Sequence, residues 1–527
     1  MNDDLAKLVS FIDAGGLSRR GFLGRSVAFG ATAVLAGSMA SGLRAEEPKN
    51  GGVLKMGWGG GETTDSLDPA LALNNVGFLL NRQWGDTIVG VTHDGQIRPI
   101  LAEKFSANAD ATVWTFEIRK GVKFHDGSEL TVEDVVATFK RHSDEKTKSG
   151  AAGIMKGLKE IKADGPNVVI TTDGGNADLP YLLADYHLLI QPKGGVGAEA
   201  ATIGTGPYKL KSADMGVRFE FEKNKDDWDK TRGHYDAVEI IVINDSTARS
   251  SALQSGQVHI INKVEPKVAG LMANAPGMKI NSQAGHGHYC FIMHCDTKPF
   301  DNKDLRLALK YSINRADMVD KILNGYGSIG NDIPINASYP LFDDKLEQRH
   351  FDVAKAAEYY KKSGHDGSPI ELIVAETAFT GAIDAATLWQ ATCQQAGIPL
   401  TLKKVPDDGY WSNVWNVAPF CASYWGGRPV QDQMYSTAYQ SKAEWNDTRF
   451  KNEEFDKLLV EARGELDQAK RKEMYSKMAH ILWEEGGAVI PMFNNFVDAY
   501  SDTLAGWEDD ANYEAMGGWA SQRTWFA

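Results

Sequence analysis

Two strand–helix–strand units, far apart along the sequence, limit what this 527-residue chain can fold into. The first runs from Ala237 to Ile261, A-V-E-I-I-V-I-N-D-S-T-A-R-S-S-A-L-Q-S-G-Q-V-H-I-I. Its strand ends at Asn244-Asp245, Ser246 is placed to cap the helix, and Gly256 closes it. The second runs from Glu371 to Val405. Strand Leu372 to Ala375 leads through Glu376-Thr377-Ala378-Phe379 to a helix ending near Gln395. Gly397 stops that helix, and Pro399 to Val405 gives the next strand. Parallel strands need such crossovers, so each unit implies an open α/β sheet. Ligands of these sheets bind at the carboxyl ends of the strands. The chain is therefore α/β with two lobes, each offering a rim to a cleft between them. Gly285 to Cys295 and Ala488 to Phe496 read as buried strands, well placed to be the two crossings between lobes.

The N-terminal 45 residues read as an export signal. Arg19-Arg20 followed by Phe22 and Leu23 resembles a twin-arginine signal peptide. The charge-free stretch Ser26 to Leu43 is rich in Ala, Gly and Ser, too weakly apolar for a comfortable membrane anchor. The alternative is an N-terminal membrane helix. Cleavage fits best after Ala45, with Ala40 as the other choice. The first cysteine is Cys290, so no lipid-anchor cysteine follows the apolar stretch. These features predict a soluble periplasmic chain, with no membrane insertion of the mature part.

A formal charge of −14 argues against nucleic acid and anionic membranes as partners. With 43% hydrophobic residues the chain can bury large cores. Cys290 and Cys295 have opposite strand parity and should not pair. Cys393 and Cys421 can bridge if the fold brings them together; otherwise all four are small buried residues.

Several clusters invite a chemical reading. His125, Asp126, Glu133 and Asp134 look catalytic, but Asp126-Gly127 suits a turn and Thr131 with Asp134 suits a helix capping box. His286, His288, Cys290 and His294 share one face of a regular strand, which fits metal or haem ligation, or packed core imidazoles. Gly59-Gly60-Gly61-Glu62 misses the dinucleotide pattern because Glu62 stands where its last glycine belongs. It reads as a cleft rim whose amides reach a ligand. No H-E-x-x-H, C-x-x-C or P-loop is present, and Tyr326 spoils the nearest G-x-S-x-G, around Ser328. The chain is thus read as a binding protein without cofactor or resident metal, not an enzyme. An exported hydrolase or redox enzyme is the alternative from another class.

The segments G-V-K-F-H-D-G-S-E-L-T-V-E-D-V (121 to 135), G-T-G-P-Y (204 to 208), A-L-Q-S-G-Q-V (252 to 258) and P-F-D-N-K-D-L-R-L-A-L-K-Y-S-I-N-R (299 to 315) come in this order. In order and spacing they resemble the extracytoplasmic solute-binding proteins of ABC importers for peptides and nickel, family 5. The resemblance implies a type II-like periplasmic binding protein with two hinge strands and a subdomain inserted in the first lobe. It places lobe I at 46–90, 205–288 and 493–527, the insert at 91–204, and lobe II at 289–492. It implies a monomer that takes a short peptide or small zwitterionic or anionic amino-acid-like solute and delivers it to ABC permease subunits. A carrier of a metal chelate or haem is the alternative within this class.

Peptide-binding relatives often carry an Asp a few residues after an aromatic-Gly pattern in the second lobe. Here the segment is Y-W-G-G-R-P-V-Q-D-Q-M-Y (424 to 435). Arg428 facing the cleft favours a carboxylate or another anion. Asp432 facing it favours an amine, and both together a zwitterion. The two residues paired with each other at the rim is the remaining alternative. Tyr410, Trp411, Trp415, Phe420, Tyr424, Trp425 and Tyr435 give either an aromatic wall for the ligand or core packing. The expected ligand-binding residues are Gly60, Glu62, Tyr289, Phe379, Trp425, Gly427, Arg428, Asp432 and Asn494.

Overall fold

The computed structural model describes residues 47–93, 95–195, 202–465 and 467–527. The export-signal expectation falls on residues 1–45, outside them. The chain opens with β1 (Val53–Trp58) and helix α1 (Asn75–Trp84). Then come a small hairpin, β2 (Val89–Val91) with β3 (Ile97–Pro99), and an antiparallel sheet of β4 (Ala102–Ala107), β5 (Val113–Ile118), β6 (Leu158–Asp164) and β7 (Asn167–Thr172). That sheet, in the order β4-β5-β7-β6, buries Phe116, Val168 and Ile170 against Phe139 of helix α2 (Val132–Ser143). Helix α2 begins with the expected capping box: Thr131 Oγ1 accepts from Asp134 N at 3.2 Å, and Asp134 Oδ2 accepts from Thr131 N at 2.9 Å.

The main sheet follows from β8 (Tyr208–Asp214), β9 (Arg218–Lys223), β10 (Ala237–Val242), β11 (Ile260–Ile261) and β12 (Met278–Met293). It continues with β13 (Gly327–Ile329), β14 (Ile370–Val374), β15 (Leu400–Lys404), β16 (Phe420–Trp425) and β17 (Ala488–Ser501). Among the described residues it has eleven strands, in the order β15-β14-β16-β12-β17-β11-β1-β10-β9-β8, with β13 also on β17.

Both strand–helix–strand units are present. In the first, β10 and β11 flank β1 and run parallel to it, with helix α3 (Ser246–Gln254) between them in the chain. The cap is Asp245, not Ser246: its carboxylate accepts from Ala248 N at 2.7 Å. A carboxylate also meets the positive end of the helix dipole, which a hydroxyl cannot do. In the second, β14 and β15 pair parallel with Ile370 opposite Leu400, joined by helix α4 (Ala382–Gln395).

The two halves of the sheet are joined by β12 and β17, which pair antiparallel over almost their whole length. Residues 278–284 of β12 and 495–501 of β17 lie in the first half. Residues 288–292 and 488–493 lie in the second. The register breaks between Ala284 and His288, where Gly285, His286 and Gly287 stand against Asn494 alone. A side chain at Gly285 would come within 2.5 Å of the Phe496 ring, so glycine is required there. Cys290, Cys295, Cys393 and Cys421 are all free, and Cys393 lies against the Ser312 hydroxyl instead of Cys421.

Buried ions anchor β17 to the second lobe. Asp332 is fully buried and receives Arg315 at 2.6 Å and Arg349 at 2.9 Å. Its other oxygen accepts from Ile490 N at 3.1 Å. Removing one member of such a group leaves charges buried and unpaired. Asp332→Ala should therefore cost about 3–5 kcal/mol of folding free energy, measured by urea denaturation. A loss below about 1 kcal/mol would mean that the two guanidinium groups find other partners.

Candidate functional site

The two halves of the sheet meet over a cavity of about 90 Å³. From the first lobe come Trp58, Phe78, Arg82, Tyr513 and Trp519, and from the end of the inserted region Asp185 and Tyr186. From the second come Gly427, Arg428 and Gln433. A smaller cavity of about 20 Å³ adjoins it and shares Phe78, Tyr186 and Arg428. Its other walls are Trp411, Trp415, Tyr424, Trp425 and Trp445. A wider groove of about 700 Å³ is lined by second-lobe residues alone, among them exposed Asp301 and Asp366. It has no facing wall to close on a ligand, so the interlobe cavities are the candidate site.

The cleft is shut, and with it closed residues 50–527 form one compact unit. Glu62, from the glycine turn of the first lobe, accepts from Trp411 N of the second at 2.9 Å. Thr63 Oγ1 donates to Asp408 at 3.1 Å, and Thr64 meets Ser412 at 2.8 Å. Lys263 lies 4.4 Å from the centre of the Tyr424 ring. Gln433 Nε2 donates to Asp185 at 3.1 Å.

Arg428 stands where the two cavities join. The bulge in β12 places it, because His286 packs so tightly on Gly427 that a Cβ there would lie 2.3 Å from the His286 Cβ. Gly427 also has φ +86°, a conformation that favours glycine. Arg428 N donates to the Tyr339 hydroxyl, and one guanidinium nitrogen turns back to Gly427 O at 2.7 Å. The guanidinium lies 5.6 Å from the Tyr186 ring and 5.8 Å from that of Trp425. Burial alone lowers its pKa, but Tyr186 and Asp185 outweigh burial and keep it charged. The nearest carboxylate, Asp185, is 3.9 Å away. Burial pushes Asp185 up, yet its partner His187 at 2.6 Å, then Arg428, hold it well below the usual carboxylate range. Asp185 is therefore an ion already engaged by His187 and Gln433, and Arg428 keeps donors to offer.

The other expected residues fall into place around this. Trp425 lines the smaller cavity, and its indole N–H donates to Asp447 at 3.2 Å beside that of Trp415 at 2.9 Å. Glu62 joins the lobes and lines neither cavity. Gly60 has its amide committed to Asn244 at 2.8 Å, and Gly59 to Asn262 at 2.9 Å, so the glycine rim does not present these donors to a ligand. Tyr289 and Phe379 stack on each other at 4.4 Å, away from both cavities. Asn494 lies opposite the bulge, its side chain turned to Asn495 O. Asp432 is fully buried on helix α5 (Gln431–Ala438) and is held by Arg463 at 3.0 Å. So Arg428 and Asp432 neither pair nor share the cleft. His286 and His288 pack on Tyr339 and Phe493, and among the described residues no group of three or more His, Cys, Asp and Glu is arranged to hold a metal.

Arg82, Asp185, Tyr186, Tyr513 and Trp519 escaped the sequence reading. They come from a helix and loops whose local pattern carries no binding signal. Of the aromatic residues expected to form a wall, Trp411, Trp415, Tyr424 and Trp425 do line the smaller cavity.

A family model described as bacterial extracellular solute-binding proteins, family 5 Middle, matches residues 96–447. The glutathione-binding protein GsiB of Escherichia coli O6:K15:H31 is 22% identical over 465 residues, covering 85% of this chain and 90% of the relative. The di/tripeptide-binding protein 1 of Pseudomonas aeruginosa is 26% identical over 448 residues, covering 74% and 79%. Among solved structures, the periplasmic binding protein DppA of Helicobacter pylori in complex with peptide STSA superposes with a TM-score of 0.82 at 21% identity, over 90% of this chain and 98% of that one. AgaA of A. tumefaciens R10 in complex with agropinic acid gives 0.82 at 23%, over 90% and 99%. The fold is that of the two-lobed periplasmic binding proteins.

Asp447 generates a test of the aromatic wall. Burial pushes its carboxyl up to about 7, against which the two indole N–H groups act only in part. A group whose folded pKa lies above its unfolded value stabilises the fold when protonated. This contribution is present below about pH 4 and is lost as pH rises towards 7. Asp447→Asn should show a smaller loss of stability between pH 4 and pH 7 than the parent, in urea titrations at both. Parallel profiles would place the Asp447 pKa in the ordinary range.

Proposed function

The chain belongs to the family-5 bacterial extracellular solute-binding proteins, and from that premise we propose which solute it takes and where. It is the solute-capturing component of an ABC importer, and its solute is a small anionic or zwitterionic compound of amino-acid or short-peptide size. The observation that carries this is Arg428: a buried, charged guanidinium at the junction of two cavities, walled by aromatic rings. Such a fork recognises a carboxylate by paired hydrogen bonds. The aromatic cavity beside it suits the solute's apolar part. The small volume argues against a long peptide. Relatives named for glutathione and for di- and tripeptides, and a neighbour holding agropinic acid, agree with this size and chemistry.

The N-terminal twin-arginine pair supports export of a folded chain to the periplasm. Lobe I at 46–90, 205–288 and 493–527, the insert at 91–204 and lobe II at 289–492 are the moving parts, with β12 and β17 as hinges. A solute held by both walls binds the closed form better than the open one and so shifts the population towards it. The loaded form then docks on the permease.

Native mass spectrometry of protein purified without denaturation should show a mass excess that disappears on unfolding and corresponds to an anion or zwitterion. For that solute Arg428→Ala should weaken binding at least about tenfold, and Arg428→Lys should fall between, since Lys keeps the charge without the fork. Unchanged affinity in Arg428→Ala would remove Arg428 from the site.

A further inference from the structure

Buried arginines in this protein are almost all matched. Arg232 is held by Asp86 and Asp227, Arg315 and Arg349 by Asp332, and Arg463 by Asp432. Arg249 and Arg306 donate to backbone carbonyls. One group of half-buried arginines is not matched in this way. Arg82, Arg98 and Arg523 surround a single indole, that of Trp519, at 4.4, 5.8 and 5.6 Å from its centre. None of the three makes a salt bridge or a side-chain hydrogen bond among the described residues, and Arg98 Nε is buried without an acceptor. Burial lowers all three pKa values, Arg82 to about 10, at which Arg82 is charged at neutral pH. Asp185 acts most strongly on Arg82 and Asp510 next, while Asp510 also faces Arg523; Asp510 lines the same cavity, its Oδ1 accepting from Asn512 and its Oδ2 buried without a donor. The group is left with excess positive charge beside a cavity.

The backbone is shaped to bring this group there. Ala515, Met516, Gly517 and Gly518 have φ of 46°, 61°, 71° and 82°, a full left-handed turn. Two of these are not glycine, and left-handed backbone is unfavourable for such residues. The turn is held by Asp498, which accepts from Ala515 N at 2.6 Å, and by Gly518 N donating to Glu514 O at 2.8 Å. It delivers Gly517, Gly518 and Trp519 to the cavity wall. A Cβ on Gly518 would stand 3.1 Å from Arg82 Cγ, and one on Gly517 2.8 Å from Asp510. Strain of this kind persists where surrounding structure over-determines it, and it collects at ligand sites.

We propose that Arg82, with Arg98 and Arg523 around Trp519, receives a second anionic group of the solute, so that the solute is an organic dianion spanning Arg428 and Arg82. This rests on the reading of Arg428 above. Both arginines line the same cavity, and Asp185, spent on His187 and Gln433, lies near both. The second group is a carboxylate or a phosphate monoester, since a guanidinium fork binds either.

The test is titration calorimetry at low ionic strength on ligand-free full chain, with matched pairs: glutamate and glutamine, N-acetylglutamate and N-acetylglutamine, O-phosphoserine and serine. The first two pairs read a carboxylate and the third a phosphate. At least one probe with two anionic groups should bind at least about tenfold more tightly than its partner. Arg82→Gln should abolish that difference while leaving the weaker partner's affinity unchanged, and Arg523→Gln should reduce it. Circular dichroism melts verify that both variants fold; Arg98→Gln replaces either one that does not. If no pair differs, including the case where no probe binds, the proposal is overturned. It is equally overturned if the difference survives Arg82→Gln. Binding lost in Arg428→Ala with no difference within pairs would sink the second site and keep the first. A difference abolished by Arg82→Gln in a protein indifferent to Arg428→Ala would sink the first and keep the second.

Discussion

The antiparallel pairing of Met278–Met293 with Ala488–Ser501 governs the rest of the molecule. These two strands belong to both halves of the main sheet, so each lobe's core is continued through them. Their pairing is dense at both ends and broken only at Gly285–Gly287 and, by a smaller shift, after Tyr289. A break of this kind lets the strands bend without giving up the ladder on either side. The first bulge also presses His286 on Gly427 and thereby places Arg428. The bending point of the fold and the anchor of the candidate site are thus one contact.

Charge is handled differently in the lobes and in the cleft. Within the lobes several buried ions are compensated: Asp332 with two arginines, Asp86 and Asp227 with Arg232, Asp432 with Arg463. Burying an ion costs several kcal/mol unless partners offset it, so such pairing is what a stable interior requires. In the cleft, Arg428 has only a carboxylate 3.9 Å away that is itself engaged, and Arg82 has none in contact. Stability alone would not select this arrangement. It is the arrangement expected where the missing partner arrives with the solute.

Much of the fold was legible because local rules agreed with the tertiary outcome. Both strand–helix–strand units, the capping box at Thr131 and the crossing strands follow from periodicity, caps and glycines. The error at Ser246 arose between two adjacent residues that both cap helices, where the charge of Asp245 decided. In the site, sequence could bring forward both Arg428 and Asp432 but not separate them. The separation depends on Arg463, which is remote in sequence and claims Asp432. Tyr289 and Phe379, expected among the ligand contacts, stack on each other and line neither cavity. Arg82 and Trp519 could not be read at all. They meet only because a left-handed turn, which Ala515 and Met516 disfavour intrinsically, is imposed by Asp498 and Glu514 from outside it.

Closure follows from the same electrostatics. Glu62, Thr63 and Thr64 reach Trp411, Asp408 and Ser412 across the cleft, so the closed form has contacts of its own. These act whether or not a solute is present and therefore cannot report loading. What distinguishes the loaded form is the cost of shutting unpaired guanidinium groups away from water. On the proposed reading, an anion between the walls removes that cost only when both walls are in place, because Arg82 and Arg428 come from different lobes. Its affinity for the closed form then exceeds that for the open form, which is the condition for a ligand to shift such an equilibrium. The latch contacts set how easily the cleft shuts, and in the proposed mode of binding the uncompensated arginines make the shut state depend on the solute.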